Sequence, residues 1–211
     1  MSHENLHTAS LPTWRQRTAL RVLHLFGWQI RFKPLPGPHG IAVVYPHTSN
    51  LDFFVGLLCK WALDIPFRWL AKESLFRGPV GALMRYWGGL PVERRGAPAG
   101  STQRLAERIN GSDWMWIAIT PEGARARQPH WKSGFYHLAL AARVPLLLIA
   151  LDFGKKEIRF TDHLRLSGDQ DADMAAIAAA YQGATGLYPH QAGPIVLAPP
   201  RAPDQPERRR A

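Results

Sequence analysis

From Ile41 to Phe153 short runs of β-branched and aliphatic residues alternate with stretches of helical period, and this alternation constrains the fold more than any other feature of the chain. IAVVY (41–45) reads as a buried strand. A helix is predicted from about Leu51 to Leu63, a strand near Arg68 to Ala71, and a helix opening at Pro79 and closing at Gly88, with proline early and glycine just past the end. A strand near Leu90 to Val92, a helix from about Ser101 to Ile109, the strand WMWIAI, a helix from about Phe135 to Arg143 and the strand VPLLLIALDF continue the series. EIRF is a further strand, and DADMAAIAAAYQ, acidic at its start and alanine-rich in its body, a further helix. The fold class is α/β: a central sheet, mostly parallel or mixed, flanked by helices.

Ahead of that alternation, Trp14 to Lys33 sorts as a basic amphipathic helix. Ala19, Leu23, Phe26 and Ile30 share one face, and Arg17, Arg21, His24, Trp28 and Arg31 the other. Two media could receive the apolar face: a membrane interface, with the arginines meeting anionic headgroups, or the protein's own domain. Prolines and glycines from Pro34 to Gly40 end this appendage, and PPRAPDQPERRRA forms a Pro-rich basic tail. The chain of 211 residues divides into an N-terminal helix (1–33), one catalytic-sized domain (34–198) and a tail (199–211).

The 26 Lys and Arg against 16 Asp and Glu favour an anionic partner: nucleic acid, anionic lipid or a phosphorylated substrate. No nucleic-acid motif is present, and the tryptophans fall mostly in predicted apolar elements, which argues against nucleic acid. The single Cys59 allows no intrachain disulfide and suits a reducing compartment. The N-terminus has no secretory pattern, and no run of about 18 apolar residues spans a bilayer, so a peripheral position on the cytoplasmic face of the cell membrane is expected.

Three polar clusters fall where predicted strands end, the edge at which α/β sheets place ligands. His47 follows the first strand, and Asp52 lies in the first turn of the next helix; the carboxylate could take the imidazole Nδ1 hydrogen and leave Nε2 as a general base. The same residues also fit a plain turn, with Asn50 or Asp52 capping the helix. In AITPEGARAR, Glu122 and Gly123 end a strand, and Arg125 and Arg127 supply planar cationic forks suited to phosphate. GGLPVERRG places Arg94 and Arg95 after a short strand.

Taken in order, these clusters resemble the motifs of a known family. HTSNLD (47–52) is similar to the HxxxxD signature of the glycerolipid acyltransferases, which include the lysophosphatidic acid acyltransferases. GGLPVER resembles the second block, TPEGAR the third, usually written FPEGTR, and VPLLLIAL the fourth, while AKESLF resembles the segment that carries a lysine, here Lys72. The likeness runs from about residue 35 to about 155. It departs at Pro46, Glu93, Thr120 and Ala124, which surround the blocks that recognise the acceptor.

The resemblance implies a glycerol-3-phosphate acyltransferase-like fold and an O-acyltransferase of phospholipid biosynthesis. Acyl-CoA or acyl carrier protein would be the donor substrate, a lysophospholipid such as 1-acylglycerol 3-phosphate the acceptor, and no cofactor would be needed. It makes His47 the general base and Asp52 its orienting partner. Arg94 and Arg125, with Lys72, would hold the acceptor phosphate, and Glu122 and Gly123 would shape the acceptor site. Ser49 is expected to be a local hydrogen-bonding residue, since no GxSxG elbow surrounds it. Another lipid acceptor, a thioester hydrolase and a non-catalytic binder of anionic lipid are the alternatives.

Overall fold

A computed structural model of the chain describes residues 12–92 and 100–198. Among these residues seven strands form one sheet, flanked by six α-helices. The strands are β1 (Gln29–Arg31), β2 (His39–Tyr45), β3 (Arg68–Lys72), β4 (Gly89–Val92), β5 (Met115–Ile119), β6 (Leu146–Asp152) and β7 (Glu157–Leu164). The helices are α1 (Trp14–Leu25), α2 (Leu51–Leu63), α3 (Gly78–Tyr86), α4 (Ser101–Asn110), α5 (Gly134–Ala142) and α6 (Gln170–Ala180). In space the strands run β1-β7-β6-β2-β5-β3-β4, and only the β6–β7 pair is antiparallel. The mixed α/β sheet expected from the sequence is therefore present.

Both faces of the sheet are covered, which explains why the central strands read as unbroken apolar runs. Ile41, Val43 and Tyr45 point to the face packed by α4, α5 and α6, through residues such as Ile109, Phe135 and Ile177. Ala42, one register position away, faces the layer built from α1 and α2, with Leu23, Val55 and Cys59. All seven residues of β6 are buried. Each Leu or Ile side chain fully removed from water there contributes about 1.5–3 kcal/mol.

The N-terminal helix is shorter than its sequence pattern predicts. A capping box between Thr13 and Gln16 opens α1, and the chain leaves the helix after Leu25 instead of continuing to Lys33. Gly27, at φ +78°, turns it: the Gly27 N–H reaches the His24 carbonyl and the Trp28 N–H reaches the Leu23 carbonyl, a Schellman closure. Gln29–Arg31 then pairs with β7 as an edge strand. This closure moves Trp28 from the polar face of the wheel into the core, edge-on to Phe153, and leaves Phe26 exposed. Ala19 and Leu23 are buried against α2, and Arg15 pairs with Asp64 at 3.2 Å, so α1 docks on its own domain.

Topology also makes a crevice. From β2 the chain passes through α2, on one face, to β3; from β5 it passes through α5, on the other face, to β6. Adjacent strands β2 and β5 thus send their connections to opposite sides, and the carboxyl ends of such a pair open a gap where ligands bind.

Candidate active site

The loop after β2 is held almost entirely by polar contacts. Asp52, in the first turn of α2, points its carboxylate back along the chain, and Oδ2 accepts hydrogen bonds from the Thr48 and Ser49 N–H groups at 2.7 and 2.8 Å. The same oxygen lies 3.1 Å from His47 Nδ1, a close electrostatic contact whose geometry falls short of an aligned hydrogen bond; Oδ1 makes no hydrogen bond. Asn50 occupies the N-cap position without a side-chain cap bond. Neither Asn50 nor Asp52 therefore caps the N–H groups of α2: Asp52 instead satisfies the backbone of the loop before the helix and faces the imidazole at the same time. Ser49 accepts from the Leu51 N–H at 2.9 Å, the local role its context predicted.

Across the crevice, Glu122 turns inward from the end of β5. Its Oε2 accepts from the His47 N–H at 2.6 Å and its Oε1 from the Gly193 N–H at 3.2 Å. The carboxylate is 2% exposed, and burial pushes its pKa up even though both N–H groups favour the charged form. Glu122 thus clamps the backbone of the residue that bears the imidazole. Of the His47 side chain 15% remains exposed, against 2% for Asp52, so the ring is the part of this pair that reaches solvent.

Gly123 adopts φ +68°, a conformation costly to a side-chain-bearing residue, and the alkyl chain of Lys132 lies across it, 2.8 Å from where a Cβ would stand. Gly123 and Lys132 border a cavity of about 520 Å³ at the carboxyl ends of β3, β4 and β5. Leu70, Leu105 and Phe135 give it apolar walls, and Arg104 and Arg108 of α4 join Lys132 as its cationic groups. Arg125 stands exposed on the loop after β5, and Lys72 stands exposed at the end of β3. Arg94, with Glu93 and Arg95, lies outside the described residues.

A contribution absent from the sequence analysis comes from residues 185–193, after α6. Tyr188 N–H donates to Thr48 Oγ1 at 3.2 Å, the Tyr45 hydroxyl donates to the Gly193 carbonyl at 3.1 Å, and Arg127 donates to the Ala192 carbonyl at 3.2 Å. A Cβ on Gly186 would come within 2.6 Å of Thr48 Oγ1, so the segment packs flush on the His47 loop. Gly, Tyr and Gln in irregular backbone carry no periodicity, and the only available signal was the pair of glycines, Gly186 and Gly193.

The arrangement can perform base chemistry: an imidazole with a buried carboxylate behind it, set in a crevice with cationic side chains nearby. Cys59 is buried in the core, and burial drives its thiol up to about 12, which removes it as a nucleophile. Among the described residues no group of three or more His, Cys, Asp or Glu side chains is gathered to hold a metal ion.

A family model described as Acyltransferase matches residues 30–152, more than half of the chain and the stretch that contains His47, Asp52 and Glu122. Among solved structures, the crystal structure of the 1-acyl-sn-glycerophosphate (LPA) acyltransferase PlsC from Thermotoga maritima shares the fold. It superposes with a TM-score of 0.54 over 80% of this chain and 76% of that one, at 16% sequence identity. No curated protein matches the sequence.

Proposed function

This chain belongs to the acyltransferase family, and from that premise we propose that it moves a fatty acyl group from acyl-CoA or acyl carrier protein to a hydroxyl of a lysophospholipid, 1-acylglycerol 3-phosphate first among them. The carrying observation is the His47–Asp52 contact in a loop whose backbone is bonded at Thr48 and Ser49. His47 takes the proton from the acceptor hydroxyl as its oxygen attacks the thioester carbonyl. The tetrahedral intermediate collapses with cleavage of the C–S bond, and the imidazolium returns the proton to the departing thiolate. Asp52 orients the ring and stabilises its charged form. No acyl-enzyme is required.

Arg125 and Lys72 hold the acceptor phosphate, joined by Arg94 as the family resemblance implies; Arg125 on the loop after β5 and Lys72 at the end of β3 stand at one sheet edge. The cavity beside Gly123, apolar in its walls and cationic through Arg104, Arg108 and Lys132, is matched to a molecule that joins phosphate to an alkyl chain. We place the enzyme at the cytoplasmic face of a membrane as a peripheral protein. What supports this is a set of exposed apolar side chains next to the site: Leu51 and Phe54 on α2, Leu75 before α3, and Val80, Leu83 and Tyr86 on or at the end of α3. Arg77 and Lys72 stand among them, a mixture suited to an anionic lipid surface. Among the described residues no helix is long and apolar enough to cross a membrane.

One experiment tests the reading: incubate the protein with a single long-chain acyl-CoA and a panel of lysophospholipids and other hydroxylated lipids, then follow thiol release and identify products by mass spectrometry. Thiol release that requires a phosphate-bearing acceptor, with the diacyl product, is the expected result. Release at the same rate without acceptor would make the protein a thioester hydrolase instead.

A further inference from the structure

The two loops that carry the proposed base and the proposed phosphate ligand diverge from adjacent strands; Glu122, at the root of the second, holds the His47 N–H, and farther along one side chain from outside both loops spans them. With its amide nitrogen facing both loops, the orientation that satisfies every partner, Gln191 Nε2 donates to the Thr48 carbonyl at 2.8 Å and to the Arg125 carbonyl at 2.6 Å. Thr48 follows His47 and is 2% exposed; its N–H is one of the two that hold Asp52 Oδ2, and its hydroxyl accepts from Tyr188. A shift of the Thr48 peptide therefore moves the carboxylate against which the imidazole is set.

We propose that Gln191 is a positioning residue of the active site, which fixes the separation between the His47 loop and the Arg125 loop. This rests on the acyl-transfer reading above. If Arg125 holds the acceptor's phosphate while His47 takes the proton from its hydroxyl, both contacts engage one molecule, and their spacing has to match it. Constellations of this kind must be held to within about 0.5 Å. The β2–β5 pairing sets the spacing as far as Val43 and Ile119, and beyond those residues no ladder bond joins the two strands.

The bridge is itself anchored. Phe153 N–H donates to the Thr185 carbonyl at 2.8 Å, the Gly193 N–H to Glu122 at 3.2 Å, and the Tyr181 hydroxyl, at the end of α6, to the Val43 carbonyl at 2.7 Å within β2. Residues 185–193 are thus tied to the sheet on both sides of Gln191. They lie beyond the stretch matched by the acyltransferase model, and so form a part of the site that the family blocks do not contain.

The test compares wild type with Gln191→Met, which keeps the length of the side chain and loses both donated bonds. With the acceptor that wild type uses, kcat/KM is expected to fall roughly ten- to a hundredfold, the scale of a misplacement of about 1 Å, with little change in Tm. Combined with Arg125→Ala, the two losses should be far from additive, because without the phosphate contact there is no spacing left for Gln191 to enforce. A wild-type rate in Gln191→Met, or losses that simply multiply, would overturn the proposal. An arm independent of any acceptor reads the histidine ring signals by NMR: Gln191→Met should move those of His47 and leave distant histidines such as His39 and His163 in place. Unchanged His47 signals would reject the positioning role, whatever the acceptor proves to be.

Discussion

The loops that follow β2 and β3 leave the same edge of one sheet, and they are built in opposite ways. After β2, Thr48, Ser49 and Asp52 are 2, 6 and 5% exposed, and the backbone N–H groups of residues 47, 48 and 49 all end on carboxylate oxygens. At the end of β3 and just beyond it, residues 72–75 are all exposed, with Lys72 closing the strand and Leu75 among the solvent-facing apolar side chains. The difference fits two tasks. A base that takes a proton at the moment of attack gains from fixed geometry, since its partner must be in place before charge develops. A cationic side chain that draws a phosphate out of water or off a lipid surface acts over a longer range and tolerates motion.

If that contrast holds, the largest effects belong to the buried loop. His47→Ala should lower turnover by about 10²–10⁴-fold, with the fold intact. Asp52→Asn should come close to it, because an amide in place of the carboxylate cannot favour the charged imidazole. It should also lower Tm by a few degrees, since Thr48 and Ser49 N–H would then share an oxygen of reduced charge. Single-turnover rates with circular dichroism as the fold control measure both. An Asp52→Asn enzyme with near wild-type turnover would break the comparison at its stronger end, leaving Asp52 only a backbone anchor.

Changes on the exposed side, which Arg125 on the loop after β5 shares with the segment after β3, should be smaller and fall on binding. Arg125→Ala is expected to raise the acceptor KM by about tenfold, the low end for a charge-assisted bond of about 1.5–3 kcal/mol, because solvent and salt screen an exposed guanidinium. Added salt should raise the wild-type KM and affect the variant less. A fall in kcat at constant KM would place Arg125 in the proton-transfer geometry, and the two regions would no longer divide the work in this way.

How much of this was legible in the sequence follows the same division. The strands and helices from residue 39 onward could be read because the sheet is covered on both faces, so burial writes itself as apolar runs such as Leu146–Leu151. The pairing of His47 with Asp52 was legible because the two residues lie five positions apart across one strand-to-helix turn, near enough for local backbone to bring their side chains together. The helical period of Trp14 to Lys33 misleads because it continues past Gly27, where the chain turns and adds β1 to the edge of the sheet. The inward reach of Glu122 and the role of residues 185–193 were hidden for a different reason. These contacts join residues 71 to 148 positions apart through backbone amides and carbonyls, which every sequence possesses. The placement of Arg94 falls outside the described residues.

The last expected effect falls on stability and leaves the reaction aside: it concerns what supports the exposed side from beneath. Lys60 on α2 donates from Nζ to the Trp87 carbonyl at 2.7 Å, at the end of α3, where the Trp69 indole N–H also arrives at 3.2 Å. Burial, and then the neighbouring charges of Arg68 and Arg15, lower its pKa to about 8 from the ordinary 10.5. A folded-state pKa below the unfolded one means that the unfolded chain binds more protons between these values, so the lysine's contribution to stability rises with pH from about 8 to 10.5 and is absent at pH 7. The clamp on the β2 loop carries the opposite sign: Glu122, which reaches it from the end of β5 with its pKa raised, has a contribution that falls as pH climbs past the ordinary carboxylate range. Urea unfolding of wild type and Lys60→Met across pH 7–10.5 separates the lysine from every other group. The wild type should gain stability relative to the variant as pH rises through that window; parallel curves would show that Lys60 is charged and solvated in the native state and does not support α3 from a desolvated position.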